Sequence, residues 1–316
     1  MFKGLEVLDT VRLNFSTDSL LLLNFTLAFI MFGVALELKL GRFKHILQFP
    51  KATIVGVASQ FIVMPLLTLL LVLIINPTPG VAMGMILVAA CPGGNVSNFM
   101  TSNAKGNTEL SVSLTAIADL SAIIMTPLNF AFWGGIYANF YNKATHLIMP
   151  VNIDGWEMVK TMILLLGIPL IVGMLFSNYF PKITRHIIKP IKITSLIIFA
   201  GYVIVALAAN FNYIIKYINL VFIIVLLHNA IAFIAGYTMA KSFKLKNIDV
   251  RTVTIETGIQ NSGLALVLIF NPNLFNGLGG MAYIAALWGI WHIISGVIIS
   301  AIWSYKPVLK FKSTIN

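Results

Sequence analysis

Between Lys51 and Lys105 the chain runs through 53 residues without a charged side chain. Between Arg251 and Lys306 it runs through 54 with one, Glu256. Runs of that length leave little besides paired membrane crossings, because a crossing takes about 20 apolar residues. The other gaps are single lengths: 18 residues from Asp18 to Glu37, 21 from Lys160 to Lys182, 23 from Lys192 to Lys216 and 24 from Lys216 to Lys241. Glu109 to Lys143 holds one interior charge, Asp119. With turns at Asn76-Pro77-Thr78-Pro79-Gly80 and from Asn271-Pro272-Asn273 through the glycines at 277–280, the gaps predict nine transmembrane helices. The fold class expected is an all-α polytopic membrane protein.

Composition agrees. Of 316 residues, 59% are hydrophobic and 10% charged, against about 25% charged in soluble domains. That excludes a soluble globular domain and a disordered chain. The net charge of +11 suggests nucleic acid, but the distribution of the bases argues otherwise. Sixteen of the 21 Lys and Arg residues fall on one side of the predicted spans (Lys39, Arg42, Lys44, Lys51, Lys105, Lys182, Arg185, Lys189, Lys192, Lys241, Lys244, Lys246, Arg251, Lys306, Lys310 and Lys312). Only Lys3, Arg12, Lys143, Lys160 and Lys216 fall on the other. The basic side is expected to be cytoplasmic, with the N-terminus outside and the C-terminus inside. No nucleic-acid or obligate protein partner is implied; the partner is the lipid bilayer of a plasma membrane, the inner one in a bacterium. Cys91 is the single cysteine, so no disulfide or cysteine metal site is expected. The charged first 18 residues do not read as a signal peptide. Residues 134–155, rich in aromatics, are expected to be an external loop along the interface.

Two spans carry polar breaks. Span three contains Cys91-Pro92-Gly93-Gly94-Asn95-Val96-Ser97-Asn98, and span eight Glu256-Thr257-Gly258-Ile259-Gln260-Asn261-Ser262-Gly263. Non-helical backbone at membrane depth persists only where it is buried in protein or lines a cavity. A Pro/Gly kink closed by neighbouring hydroxyls explains one such break. Two matched breaks in opposite halves point to the binding site of a secondary transporter. The halves run in opposite senses, which predicts inverted repeats.

Glu256 is the costliest residue, since an intramembrane carboxylate wants a cationic partner and no Lys or Arg lies within a span core. A bound cation or a proton would serve. Ser97, Asn98, Ser111, Thr115, Thr257 and Gln260 surround it with neutral oxygens, a set that suits a hard monovalent cation such as sodium. Ser111 and Thr115 share a helix face, and Asp119 continues it. Asp119 reads as a second cation or proton residue, as a carboxyl near the outer vestibule, or as a protonated or hydrogen-bonded acid in the span's outer half. Gln60, mid-span before Pro65, is a further oxygen ligand or an interhelical hydrogen bond. His228, Asn229 and His292 lie within spans, where histidine is more often packed than catalytic. Neither clustered aspartates for a magnesium diphosphate nor a His-Glu-x-x-His motif occurs, so no enzyme is expected.

The motifs at 91–98 and 256–265 resemble the bile acid:sodium symporter family. Ile30–Leu38, Gln60 ahead of Met64-Pro65, Gly106-Asn107 before Ser111, Leu227-His228-Asn229 and Trp291–Gly296 agree, and the likeness covers about residues 19–305. It implies a core domain, in which two broken helices cross, and a panel domain. The panel would be 19–50 (span one) and 155–214 (spans five and six). The core would be 51–134 (spans two to four) and 215–305 (spans seven to nine). Bacterial relatives often have ten spans; against that pattern this chain is expected to lack the first and to resemble nine-span vertebrate members. The resemblance implies two sodium ions. Ser97, Asn98, Ser111, Thr115 and Glu256 would hold one. Gln60, Glu256, Gln260 and the carbonyls of Thr257 and Ile259 would hold the other. Asn95, Asn261 and His292 would meet the substrate, an organic anion such as a bile acid or a small pantoate-like carboxylate. Asp119 has no place in that pattern. A cation/proton antiporter of similar crossed-helix build, and a non-transporting sensor, are the alternatives.

Overall fold

The computed structural model describes residues 5–10, 17–36, 50–145, 151, 154–209 and 211–305, and they are helical almost throughout. In chain order the helices are α1 (Glu6–Thr10), α2 (Thr17–Ala35), α3 (Pro50–Ile75), α4 (Pro79–Ala90), α5 (Val96–Asn103), α6 (Thr108–Thr145), α7 (Gly155–Tyr179), α8 (Pro181–Ala209), α9 (Phe211–Ser242), α10 (Asn247–Gly258), α11 (Ser262–Phe270) and α12 (Gly279–Tyr305). No strand occurs among the described residues. By length and composition, α3, α6, α7, the Val221–Ser242 part of α9, and α12 can cross a membrane; Asn24–Ala35 and Pro79–Ala90 are shorter apolar helices. Ile54, Ile74, Phe99 and Phe132 are among many large apolar side chains left uncovered. An outer surface of that character suits lipid rather than water. The described part of the chain is thus an all-α membrane protein.

The helix ends follow from local chemistry. Proline opens α3, α4 and α8, where its missing N–H costs nothing. Asn76 closes α3 in the left-handed region at φ 44, a conformation asparagine tolerates. The Asp154 side chain accepts from the backbone N–H of Trp156 and Glu157 at the start of α7, a regular N-cap.

Two helices widen for one turn just before an interior proline. Ser59–Val63 forms a π-type turn ahead of Met64-Pro65, and Ile163–Gly167 another ahead of Ile168-Pro169. Proline gives no N–H and its ring crowds the carbonyl four residues back. The wider turn relieves that crowding, and the N–H of Met64 bonds to the carbonyl of Ser59 instead. Ser59 and Gln60 are both buried there.

The main apolar core forms where α4 lies against α12. A Cβ on Gly280 would stand 2.9 Å from the carbonyl carbon of Gly80 and from the N of Val81, so the two backbones come this close because position 280 is glycine. α9 packs along α10 and against α12, and α11 also lies on α12. On another flank α2 packs against α7 and α8. The Ser177 hydroxyl donates to the Leu36 carbonyl at 2.9 Å, and Phe32 meets Phe176 edge-on at 5.9 Å.

Two expectations need adjusting. The external loop expected over 134–155 is helix as far as Thr145. Gly134-Gly135 does not end α6, because Tyr137 one turn on is buried against the core and tertiary packing overrides glycine's weak helix propensity. Arg251, counted among loop charges, is 8% exposed. Lys3, Arg12, Lys39, Arg42, Lys44, Lys306, Lys310 and Lys312, with residues 37–49 of the first panel segment, lie outside the described residues.

Candidate functional site

Each broken span divides into two half-helices, and the breaks meet. α4 ends at Ala90 and α5 begins after Asn95; α10 ends at Gly258 and α11 begins after Asn261. The extended residues between them pair as one antiparallel bridge between Gly93 and Gln260. The Gly94 N–H donates to the Ile259 carbonyl at 2.7 Å, and the Asn261 N–H to the Pro92 carbonyl at 2.8 Å. Backbone groups freed by one break are satisfied by the other, as burial away from water demands. Glycine permits the approach: a Cβ on Gly93 would lie 2.8 Å from Glu256 Oε1, and one on Gly94 3.1 Å from the Gln260 carbonyl oxygen.

Glu256 sits in the last turn of α10, 4% exposed. Its carboxylate is met by hydroxyls from two other helices. Ser97 Oγ of α5 donates to Oε2 at 2.6 Å. Ser111 Oγ of α6 lies 3.2 Å from the same oxygen. Thr115 Oγ1, one turn along α6, donates to Oε1 at 2.7 Å. Thr115 Oγ1 also lies 3.4 Å from Asn98 Oδ1, which brings the fifth residue of the expected set to the cluster. Thr101 stands behind Ser111, 3.3 Å between hydroxyls. Among the described residues no Lys or Arg bonds to Glu256, and no three of His, Cys, Asp and Glu gather as a transition metal would want.

A second cluster lies on the other side of the crossing. Gln60 Nε2 donates to the Cys91 carbonyl at 2.9 Å and to Gln260 Oε1 at 2.8 Å. Gln260 Nε2 returns a bond to Gln60 Oε1 at 3.2 Å and another to the Thr257 carbonyl at 2.8 Å. Thr257 Oγ1 and Ser59 Oγ are 3.0 Å apart. The amide oxygens of Gln60 and Gln260 and the carbonyl of Thr257 thus lie together, and the carbonyl of Ile259 is at the bridge.

Asn95 and Asn261 stand at matching places, each just before a half-helix, and each is half-buried. Asn261 caps α11 through Oδ1, which accepts from the Leu264 N–H at 3.0 Å; Asn95 makes no such bond. His292 is buried on α12, and its Nδ1 has no partner among the described residues. No hydrogen bond among the described residues joins these three. Asp119 is fully buried in α6, and neither oxygen has a partner among the described residues.

Several residues around the site carry weight that the sequence alone did not assign. Arg251 Nη1 donates to the carbonyls of Ala104 at 2.7 Å and Trp303 at 3.0 Å, which takes up a free carbonyl just past α5. Asn107 bonds to Asp249 and Thr252 at 2.8 Å each, tying the start of α6 to α10. Asn229 Nδ2 donates to the Gly258 carbonyl at 2.8 Å. A polar side chain in an apolar span was the available signal for Asn229. Its partner depends on which helix face meets the break.

Residues 24–217, more than half of the chain, match the sodium bile acid symporter family. The chain is 31% identical over 312 residues to the uncharacterized sodium-dependent transporter YocS of Bacillus subtilis, covering 97% of this chain and 92% of that protein. It is 30% identical over 276 residues to the probable chloroplastic sodium/metabolite cotransporter BASS1 of Arabidopsis thaliana, covering 86% of this chain and 64% of that longer protein. It is 25% identical over 313 residues to the human sodium-dependent organic anion transporter, covering 98% and 78%. Crossed breaks in opposite halves are what a transporter's buried site demands, and with the sequence match they lead to one assignment: the chain belongs to the sodium bile acid symporter family, a family of membrane transporters rather than enzymes.

Proposed function

We propose that the protein is a sodium-coupled symporter that imports an organic anion by alternating access. The observation that carries this reading is Glu256, a buried carboxylate at the crossing, bonded among the described residues by hydroxyls alone. Hydroxyls exchange donor for acceptor roles freely, so the cluster suits a monovalent cation. In this reading Ser97, Asn98, Ser111, Thr115 and Glu256 hold one sodium ion. Gln60, Glu256, Gln260 and the carbonyls of Thr257 and Ile259 hold a second. Binding neutralises Glu256 and ties the two breaks together. The anion then docks beside them, met by Asn95, Asn261, His292 and the N-terminal ends of α5 and α11. The names of the relatives, sodium-dependent, sodium/metabolite and organic anion, support this chemistry.

The moving parts are a core of 51–134 and 215–305 and a panel of 19–50 and 155–214. The packing of α2 on α7 and α8 supports that division. The chain crosses the plasma membrane nine times as two inverted repeats, N-terminus outside. An inward sodium gradient drives import, and each charge moved adds about 2.3 kcal/mol per 100 mV of membrane potential. An antiporter would want a second carboxylate or a lysine at the crossing, and Asp119 bonds to none of the crossing residues.

The test is uptake of taurocholate and of pantoate into proteoliposomes carrying an inward sodium gradient. Wild type is expected to concentrate one of them in sodium and not in potassium, and Glu256→Ala to lose the sodium dependence. Sodium-driven uptake retained in Glu256→Ala, or uptake driven equally by a proton gradient without sodium, contradicts the reading.

A further inference from the structure

Three successive carbonyls close α10, the third just past its last residue, and each has a different partner. Thr257 takes the Gln260 amide, Ile259 takes the Gly94 N–H, and Gly258 takes Asn229 of α9. A helix that stops inside the membrane must have such partners, since its last carbonyls have none of their own. Of the three bonds, only that to Gly258 comes from outside the two breaks.

Asn229 is 1% exposed and is held at both ends of its amide. Nδ2 donates to Gly258, and Oδ1 accepts from Ser295 Oγ of α12 at 2.6 Å. That acceptor bond fixes which end of the amide faces the break. Ser295 Oγ has a second acceptor, the His292 carbonyl at 3.2 Å on its own helix. A hydroxyl has one proton to give, so its bond to Asn229 competes with a bond back along α12. A chain of contacts therefore runs from the helix turn bearing His292, through Ser295 and Asn229, to the carbonyl between those of Thr257 and Ile259.

Resting on the sodium-symport reading, we propose that Asn229 is a positioning residue for the second sodium site, and that Ser295 links it to the anion side of the crossing. Successive carbonyls of a helix are turned about 100° from one another. Pinning Gly258 toward α9 directs the carbonyl of Thr257 away from α9 and toward the Gln60–Gln260 side. Ser295 sets the amide that does the pinning. A change at His292 on anion binding reaches the ion ligands through this hydroxyl, and the influence is reciprocal.

The test reads the half-saturating sodium concentration from the sodium-dependent rise in Tm of the purified full-length protein, with choline chloride keeping ionic strength constant. Ser295→Ala frees the amide without touching Asn229, and is expected to raise that concentration about fivefold or more while Tm in choline stays near wild type. Ser295→Thr keeps the hydroxyl and is expected to restore it. Asn229→Ala is expected to raise it further, with a lower Tm in choline. If the Ser295→Ala and Asn229→Ala half-saturation values both match wild type, the two residues only pack the core and the inference fails. If Asn229→Ala does not fold, the Ser295 pair decides. Absence of any sodium effect in wild type would overturn the symport reading itself.

Discussion

At the scale of single residues, the account turns on the hydroxyls that meet the carboxyl of Glu256 in a buried place. Hydrogen bonds to a charged group are worth about 1.5–3 kcal/mol each, and Ser97, Ser111 and Thr115 supply three contacts. Thr115→Val keeps the shape and removes the hydroxyl, and is expected to raise half-saturating sodium about tenfold or more, with Thr115→Ser near wild type. A sodium titration of thermal stability separates the two outcomes. Gly93→Ala would set a methyl against Glu256 Oε1; it is expected to cost about 1–3 kcal/mol of stability and to weaken sodium binding, read in the same titration. Much of this cluster was legible in the sequence. A carboxylate and a run of amides in an apolar span are too costly to be incidental, so Glu256, Ser97, Gln60 and Gln260 drew notice. What was not legible was pairing. Asn229 and Ser59 look like ordinary intramembrane polar residues until the facing helix is known, and Arg251 looks like a loop charge until α5 ends beside it.

At the scale of elements, the breaks in spans three and eight were legible because Pro92, Gly93, Gly94 and Gly258 interrupt helical sequence where polar residues cluster. The backbone bridge between them was not, because it needs the two halves superposed in space. The widened turns were hidden too. Pro65 and Pro169 stand inside α3 and α7, and the chain absorbs each by widening the preceding turn. That turn has a consequence at the site, since Gln60 lies within it. Pro65→Ala lets residue 65 donate to the Phe61 carbonyl and the turn tighten, which would rotate Gln60 by about 100° relative to the rest of α3. The expected result is a folded protein with weakened sodium-dependent stabilisation. An unchanged sodium midpoint would show that the widened turn has no part in presenting Gln60. The length of α6 was missed for the opposite reason: Gly134-Gly135 looks like an end, and only the burial of Tyr137 shows why the helix continues.

At the scale of the whole molecule, the helical membrane class was legible from charge spacing alone, because charges avoid hydrocarbon more strictly than any pattern favours helix. The orientation expected from the same charges is testable by labelling. Cys91, the lone cysteine, is buried, so Cys91→Ala provides a background for single replacements at the exposed Lys143 and Lys244. An impermeant thiol reagent is expected to modify Lys143→Cys in intact cells and Lys244→Cys only after permeabilisation; the reverse pattern would invert the topology. The proposed division into core and panel depends on which helices pack together, which no charge count reveals. The central claim, that the crossing of the two broken helices binds sodium through Glu256, is tested most directly by thermal stability in NaCl against KCl and choline chloride at equal ionic strength. A ligand that binds only the folded state stabilises it by mass action. The account predicts a saturable rise in Tm specific to sodium in the wild type and absent in Glu256→Ala. Equal Tm in all three salts, or a sodium-specific rise that survives Glu256→Ala, would contradict it.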